Sequence, residues 1–151
     1  MLSSMKFILR LMTALAFAAL PACSNAQSPA NGVIIIDSNK VSAAFARGMP
    51  LLERTDFKVH ASRRDAPGIA EIHTRDTDII HVLEGSATLV TGGKAVEPKT
   101  IAPDEIRGKE IEGGESRRIG RGDVIVISNS VPHWFKQVDA PLVYYVVKVT
   151  K

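Results

Sequence analysis

Two stretches decide the fold: Ile69–Gly85, which reads IAEIHTRDTDIIHVLEG, and Gly122–Gln137, which reads GDVIVISNSVPHWFKQ. Both contain β-branched residues in short runs, and polar residues alternate with apolar ones over several positions. This period of two is typical of strands whose two faces meet different surroundings. Glycine stands at the points where a strand would turn. The two stretches therefore predict β-strands on either side of a polar middle segment.

Further strands are predicted along most of the chain that follows residue 50. Asp78–Leu83 is predicted to end in a turn at Glu84 and Gly85, and Ala87–Thr91 to return from it. The polar stretch 94–121 predicts short strands and loops. The remaining predicted strands are Phe57–Ala61, Ile69–Thr74, Asp123–Ile127, Trp134–Val138 and Leu142–Val149. Many short strands separated by glycine turns favour a sandwich or a barrel.

The segment 27–50 predicts one strand and one short helix ahead of the barrel, which we expect to span residues 51–151. Val33–Ile36 is a β-branched run and predicts the strand. In Asn39–Arg47 the apolar residues fall at helical spacing. Ser38 can cap this helix, and Gly48 can end it.

Residues 1–26 have the pattern of a secretory signal peptide. Lys6 and Arg10 precede a short apolar run, which is followed by small residues up to Ala26. The run is shorter than the roughly 20 apolar residues of a membrane span. Cleavage before Gln27 would release a soluble periplasmic protein. The segment Leu20–Cys23 resembles a lipobox instead, and would give an outer-membrane lipoprotein anchored at Cys23.

Charge and cysteine content exclude several classes of function. The chain has 19 basic and 16 acidic residues, and two of the basic ones, Lys6 and Arg10, lie in the leader, which leaves 17 against 16. A nearly neutral domain without a basic stripe argues against a nucleic-acid partner. Cys23 is the only cysteine, so a domain beginning at Gln27 can form neither an intrachain disulfide nor a cysteine metal site.

Together, the two stretches resemble the two sequence motifs of the cupin family. In the first motif His73 and Gly85 match, while Asp78 stands at the glutamate position. In the second motif Gly122 and His133 match in register, and the proline, glycine and asparagine positions are occupied by Ser128, Ser130 and Gln137. The resemblance implies an all-β fold, a double-stranded β-helix or jelly-roll barrel, which here has one short N-terminal helix.

The resemblance also implies a divalent metal inside the barrel, held by three histidines and one carboxylate. Here Glu71 replaces the first histidine, so the candidate ligands are Glu71, His73, Asp78 and His133. Glu71 and His73 are two positions apart on a strand and therefore share a face. Two imidazoles with one or two carboxylates suit iron(II), manganese or zinc. The alternative is a metal-free polar pocket in which these residues satisfy one another by hydrogen bonds. If Glu71 is not a ligand, it is the candidate catalytic base.

The other histidines and aromatic residues predict structural roles. His81 follows Asp78 by three positions and is expected on the outer surface. His60 is predicted to be an ordinary strand residue, with a place beside the pocket as the alternative, and core packing is the default for Trp134 and Phe135. The mixed charges of Asp104–Arg121 predict a solvated loop face, with a cationic rim for an acidic substrate as the second choice.

Two classes of function remain open on the sequence. One is a small-molecule metalloenzyme, such as a dioxygenase or an isomerase, and the other is a non-catalytic module that binds a small molecule or a metal. Fold alone does not choose between them. Cupin-like barrels pair through edge strands, so a homodimer is predicted, with residues 33–36 and 142–149 as the candidate edges.

Overall fold

The structure, a computed structural model, describes residues 32–151. The predicted leader 1–26 and its Cys23 lie outside the described residues, so export and lipid attachment stay predictions. Within the described range, no helix combines the length and the apolar character that crossing a membrane requires. Residues 35–151 form one compact unit.

Helix α1, Ser38–Arg47, agrees with the predicted helix to within one residue. Its N-cap is Asp37 and not Ser38: the Asp37 carboxylate accepts a hydrogen bond of 2.8 Å from the backbone N–H of Asn39. Gly48 ends the helix with a φ of 68°, a left-handed conformation that glycine adopts without steric cost.

The strand predicted at residues 33–36 is not formed. Val33 and Ile35 are 86% and 88% exposed, and this segment has no strand assignment in the structure. A β-branched run becomes a strand only where a neighbouring strand offers hydrogen-bond partners and packing. Ile36 packs instead against the residues beneath α1.

Eleven strands make up the rest of the described chain, which confirms the all-β prediction. Five of them are short and lie in the polar stretch 94–121, as predicted. The strands are β1 (Met49–Glu53), β2 (Phe57–Arg64), β3 (Ala70–His73), β4 (Asp76–Thr91), β5 (Lys94–Ala95), β6 (Lys99–Ala102), β7 (Glu105–Gly108), β8 (Ile111–Glu112), β9 (Glu115–Gly120), β10 (Val124–Ile127) and β11 (His133–Thr150).

Strand β4 continues without interruption through Glu84 and Gly85, so the turn predicted there is wrong. Both halves of β4 pair antiparallel with β11: Glu84 lies opposite Val143, and Ser86 lies opposite Asp139. The register shifts between these two pairs, so β11 contains a bulge opposite Gly85. Gly85 has a φ of +76°, and its left-handed conformation accommodates a bend in the strand and not a reversal of the chain.

The main sheet curls around β4 and β11. Its order is β1-β2-β11-β3-β7-β6, and β4 pairs with β11, β9 and β10. Residues 142–149 were predicted to be a sheet edge, but this part of β11 has β2 on one side and β4 on the other. It lies in the sheet interior, because its backbone pairs with a strand on each side. The homodimer remains a prediction, but neither residues 33–36 nor residues 142–149 form an edge strand through which two copies could pair.

The apolar core fills one part of the barrel interior, and a second cluster lies outside the sheet. The interior cluster includes Ile80, Val82 and Leu142, which are the largest fully buried side chains. On the outer face α1 covers β2 and β11, and the ring of Phe45 meets that of Tyr145 edge to face at 4.7 Å. The other part of the interior is polar and contains the predicted site.

Candidate metal centre

The structure brings the four predicted site residues together inside the barrel. Glu71 and His73 point inward from β3, with Ile72 between them on the other face. Asp78 lies near the start of β4, and His133 opens β11 directly opposite Glu71. The exposed fractions are only 7% for Glu71, 9% for His73, 4% for Asp78 and 2% for His133. Four buried polar side chains in one place require mutual satisfaction or a ligand.

The donor atoms of this cluster face a common point. The Nε2 atom of His73 is 3.8 Å from Glu71 Oε2 and 3.6 Å from Asp78 Oδ2. The Nε2 atom of His133 is 4.0 Å from Glu71 Oε2 and 3.9 Å from Asp78 Oδ2. The two rings lie 5.2 Å apart between centroids. These separations are too long for direct hydrogen bonds, which end near 3.2 Å.

Both histidines are held as neutral imidazoles. Burial lowers the pKa of His133, and it also lowers the pKa of His73, with a further contribution from the Lys148 ammonium. The Nδ1–H of His133 donates to the backbone oxygen of Val131 at 3.1 Å. This bond fixes the tautomer and leaves the Nε2 lone pair free for a Lewis acid.

Glu71 is ionised and oriented by two arginines. Arg64 Nη2 donates a hydrogen bond of 2.7 Å to Glu71 Oε1, and Arg107 Nη1 forms an ion pair with the same oxygen, also at 2.7 Å. Burial alone would raise the pKa of Glu71, but the charges of the Arg64 and Arg107 guanidinium groups lower it to about 2. The other oxygen, Oε2, is the one that faces the histidines.

Asp78 is engaged by a lysine from the same strand pair. The Nζ atom of Lys148 lies 2.7 Å from Asp78 Oδ1 and 2.9 Å from Oδ2. Glu71, His73 and His133 can each offer one donor atom such that all three lie within 4.8 Å of one another. Within the described range, Asp78 does not belong to that group of three, although its Oδ2 borders both histidines.

The chemistry of the three donors fits a divalent transition metal. Metal–nitrogen and metal–oxygen bonds of roughly 2.0–2.2 Å allow one ion to contact two donors up to about 4.2 Å apart, so the 3.8 Å and 4.0 Å separations are bridgeable. All three groups are in the deprotonated state that coordination requires. Two imidazoles and one carboxylate suit iron(II), manganese or zinc.

A cavity of about 700 Å³ leads from this cluster toward the surface. Its walls are mainly polar, with Phe135 and Tyr144 as an aromatic wall whose stacked rings are 5.6 Å apart between centroids. The Arg64 guanidinium lies 4.4 Å from the centre of the Phe135 ring, and its Nε donates to the Tyr144 hydroxyl at 3.0 Å. The volume is suitable for a small molecule beside the cluster.

The remaining histidines and aromatic residues lie close to their predicted places. His81 is exposed on β4, as predicted. His60 takes the alternative place, lining the cavity, with its Nε2 3.3 Å from Glu53 Oε1. Phe135 is buried in the core, and Trp134 is half-buried and donates its Nε1–H to the backbone oxygen of Gly68 at 2.7 Å.

The sequence does not single out three cationic residues of the site: Arg64, Arg107 and Lys148. Arg107 was assigned to a solvated loop face, but it lies on β7, lines the cavity, and binds Glu71 and Glu105. Its inward orientation follows from the pairing of β7 with β3, which the mixed charges of the stretch did not reveal. Arg64 and Lys148 could have been found from strand alternation, since each shares a strand face with cavity residues such as Ser62 and Val146.

Comparison with known proteins gives a family and a fold. The family model described as Cupin matches residues 24–151. No curated protein matches the chain significantly. Among solved structures, BH2720 of Bacillus halodurans is 13% identical with a TM-score of 0.57, and the match covers 82% of this chain and 84% of that one.

Two further solved structures share the fold. NMB1881 of Neisseria meningitidis is 13% identical with a TM-score of 0.51, and the match covers 79% of this chain and 100% of that one. An uncharacterized conserved protein with a double-stranded β-helix domain from Klebsiella pneumoniae is 16% identical with a TM-score of 0.50, over 73% of this chain and 86% of that one. At these identities the likeness concerns the fold alone.

Proposed function

This chain belongs to the cupin family, and we propose that its barrel holds one divalent transition metal through Glu71, His73 and His133 and acts on a small molecule in the adjoining cavity. One observation carries the proposal: two neutral imidazoles and one ionised carboxylate direct their free donor atoms at a common point in a buried site. Such a donor set is costly to bury unless something binds it. Iron(II), manganese and zinc are the candidate ions.

The protein's own residues would define the reaction site. When bound, the metal would supply Lewis acidity toward a substrate oxygen. Arg64 and Arg107 hold Glu71 Oε1 so that Oε2 faces the histidines, and Val131 holds His133 by its Nδ1–H. A carboxyl with a pKa of about 2 is a weak base near neutral pH. We therefore assign Glu71 to metal binding and not to proton abstraction, within a metalloenzyme of the dioxygenase or isomerase type.

The direct test is the metal content of the purified protein. We expect close to one equivalent of iron, manganese or zinc per chain, measured by inductively coupled plasma mass spectrometry after anaerobic reconstitution and removal of excess ion. A protein that retains no metal under any of the three conditions contradicts the proposal.

A second function, a metal-free binding module, is favoured by the ion pairs of the site. Both carboxylates already have cationic partners: Arg64 and Arg107 at Glu71, and Lys148 at Asp78. Such a network can satisfy buried charges without a metal. Under this function the protein would bind a small molecule equally well before and after treatment with a chelator, and it would not convert that molecule.

Removing the Lys148 ammonium should strengthen metal binding. In Lys148→Met the Asp78 carboxylate loses its cation, while its Oδ2 still borders both histidines. It then becomes available as a fourth ligand, and a positive charge that repels the metal is gone. We expect the affinity for zinc to rise about tenfold or more, measured by competition with a chromogenic chelator.

Lys58→Met is the matched control for this variant. Lys58 lines the same cavity and binds Asp76 at 2.8 Å, but Asp76 is not part of the donor cluster. Its zinc affinity should stay within about threefold of the wild type, in accord with a screened, partly exposed ion pair. An unchanged or weaker zinc affinity in Lys148→Met would show that Lys148 does not keep Asp78 from binding the metal.

A further inference from the structure

The charged side chains that line the cavity are equal in number and opposite in sign. The six basic ones are Arg54, Lys58, Arg64, Arg75, Arg107 and Lys148. The six acidic ones are Glu53, Glu71, Asp76, Asp78, Asp104 and Glu105. The formal charges of these twelve groups in the described lining of the cavity therefore sum to zero.

The balance also holds locally, because most of these groups are paired. Near the mouth, Lys58 binds Asp76 at 2.8 Å and Arg75 approaches Asp104 at 3.8 Å. At depth, three cations meet three carboxylates through the pairs Arg64–Glu71, Arg107–Glu71, Arg107–Glu105 and Lys148–Asp78. Among the described lining residues, each carboxylate at depth already has a cationic partner, so none remains to compensate a further positive charge.

A divalent ion at the buried cluster of Glu71, His73 and His133 would add two positive charges without a counter-charge beside this cavity. An uncompensated charge away from bulk water is strongly unfavourable, and it attracts an ion of opposite sign. Resting on the proposed function, we infer that the molecule bound in the cavity is a small carboxylate anion, which offsets the charge that the metal adds to a balanced lining.

The lining can recognise a carboxylate as well as attract it. Arg64 donates its Nε to Tyr144 and its Nη2 to Glu71, and Nη1 has no hydrogen-bond partner among residues 32–151. A guanidinium N–H makes a strong, charge-assisted hydrogen bond to a carboxylate oxygen. Gly68 borders this end of the guanidinium: a Cβ there would lie 2.7 Å from Arg64 Nη1. The absence of a side chain at Gly68 thus leaves room for Arg64 in this position.

The inference predicts that metal and carboxylate strengthen each other's binding. Succinate and its uncharged analogue succinamide are matched in size and differ in charge. In calorimetric titrations we expect succinate to bind the zinc-loaded protein at least tenfold more tightly than the zinc-free protein, and succinamide to show no such difference. By thermodynamic linkage, saturating succinate should raise the affinity for zinc by the same factor.

Two variants separate the lining charge from simple coordination of succinate by zinc. Lys58→Met removes one positive charge from the lining without touching the donor cluster, and it should lower the succinate affinity of the zinc-loaded protein about threefold. The control Lys94→Met removes an exposed lysine of β5 outside the cavity lining and should leave that affinity unchanged. Equal effects of the two variants, or equal binding of succinate and succinamide, would overturn the inference while zinc binding stands. A protein that takes up no zinc overturns the proposed metal function and this inference together.

Discussion

Replacing His133 by alanine should remove metal from the protein. His133 is the most buried of the three proposed ligands, and the bond from its Nδ1–H to Val131 aims Nε2 at Glu71 and Asp78. Loss of an oriented imidazole leaves one nitrogen and one carboxylate oxygen. Outer-sphere partners alone change metal affinity by about 10- to 100-fold, so we expect His133→Ala to lose more than 100-fold and to retain less than a tenth of an equivalent after dialysis.

His81→Ala is the matched control for this experiment. His81 lies on β4 three positions after Asp78, but its side chain is exposed on the opposite face. Metal content should be unchanged in this variant, and far-ultraviolet circular dichroism should confirm that both variants retain the wild-type strand content. If folded His133→Ala keeps a full equivalent of metal, the site does not use His133, and the metal centre proposed for the barrel is wrong.

The strands could be predicted because they depend on local alternation, whereas the identity of the site residues came from the resemblance to the cupin motifs. Glu71 and His73 share a face through the two-residue period of β3, and that period is visible in the sequence. His133 required the resemblance to a family, since nothing local places it opposite Glu71. The pairing of β11 with β3 that joins them is a long-range contact.

The predictions that failed concern residues whose state is set by partners distant in sequence. Val33–Ile36 has the composition of a strand but no neighbouring strand to pair with in the described chain. Arg107 lies in a stretch whose mixed charges are typical of a loop, but β7 pairs with β3 and places the Arg107 side chain against Glu71. The glycine at position 85 predicted a turn. That prediction failed because the positive φ that glycine allows occurs in bent strands as well as in turns.

Replacing Gly85 by alanine should destabilise the whole fold. Gly85 has a φ of +76°, and a Cβ at this position would lie 3.0 Å from the backbone oxygen of Asp139 and still closer to that of Pro141. Both oxygens belong to β11, the strand that pairs with both halves of β4. Left-handed backbone costs an alanine roughly 1–2 kcal/mol, and shifting a packed backbone adds about 1–3 kcal/mol. We expect the free energy of unfolding to fall by about 3–4 kcal/mol in urea titrations.

Gly92→Ala separates the two contributions. Gly92 has nearly the same φ, +71°, and lies at the end of the same strand, but a Cβ there meets nothing within 4 Å. It should lose only the conformational part, roughly 1–2 kcal/mol. Domains of this size have about 5–15 kcal/mol of stability, so Gly92→Ala should remain folded while Gly85→Ala approaches the threshold. Equal losses of unfolding free energy in the two variants would show that β11 moves to accommodate a side chain at residue 85. The cost at Gly85 would then come from backbone conformation alone and not from the close approach of β4 and β11.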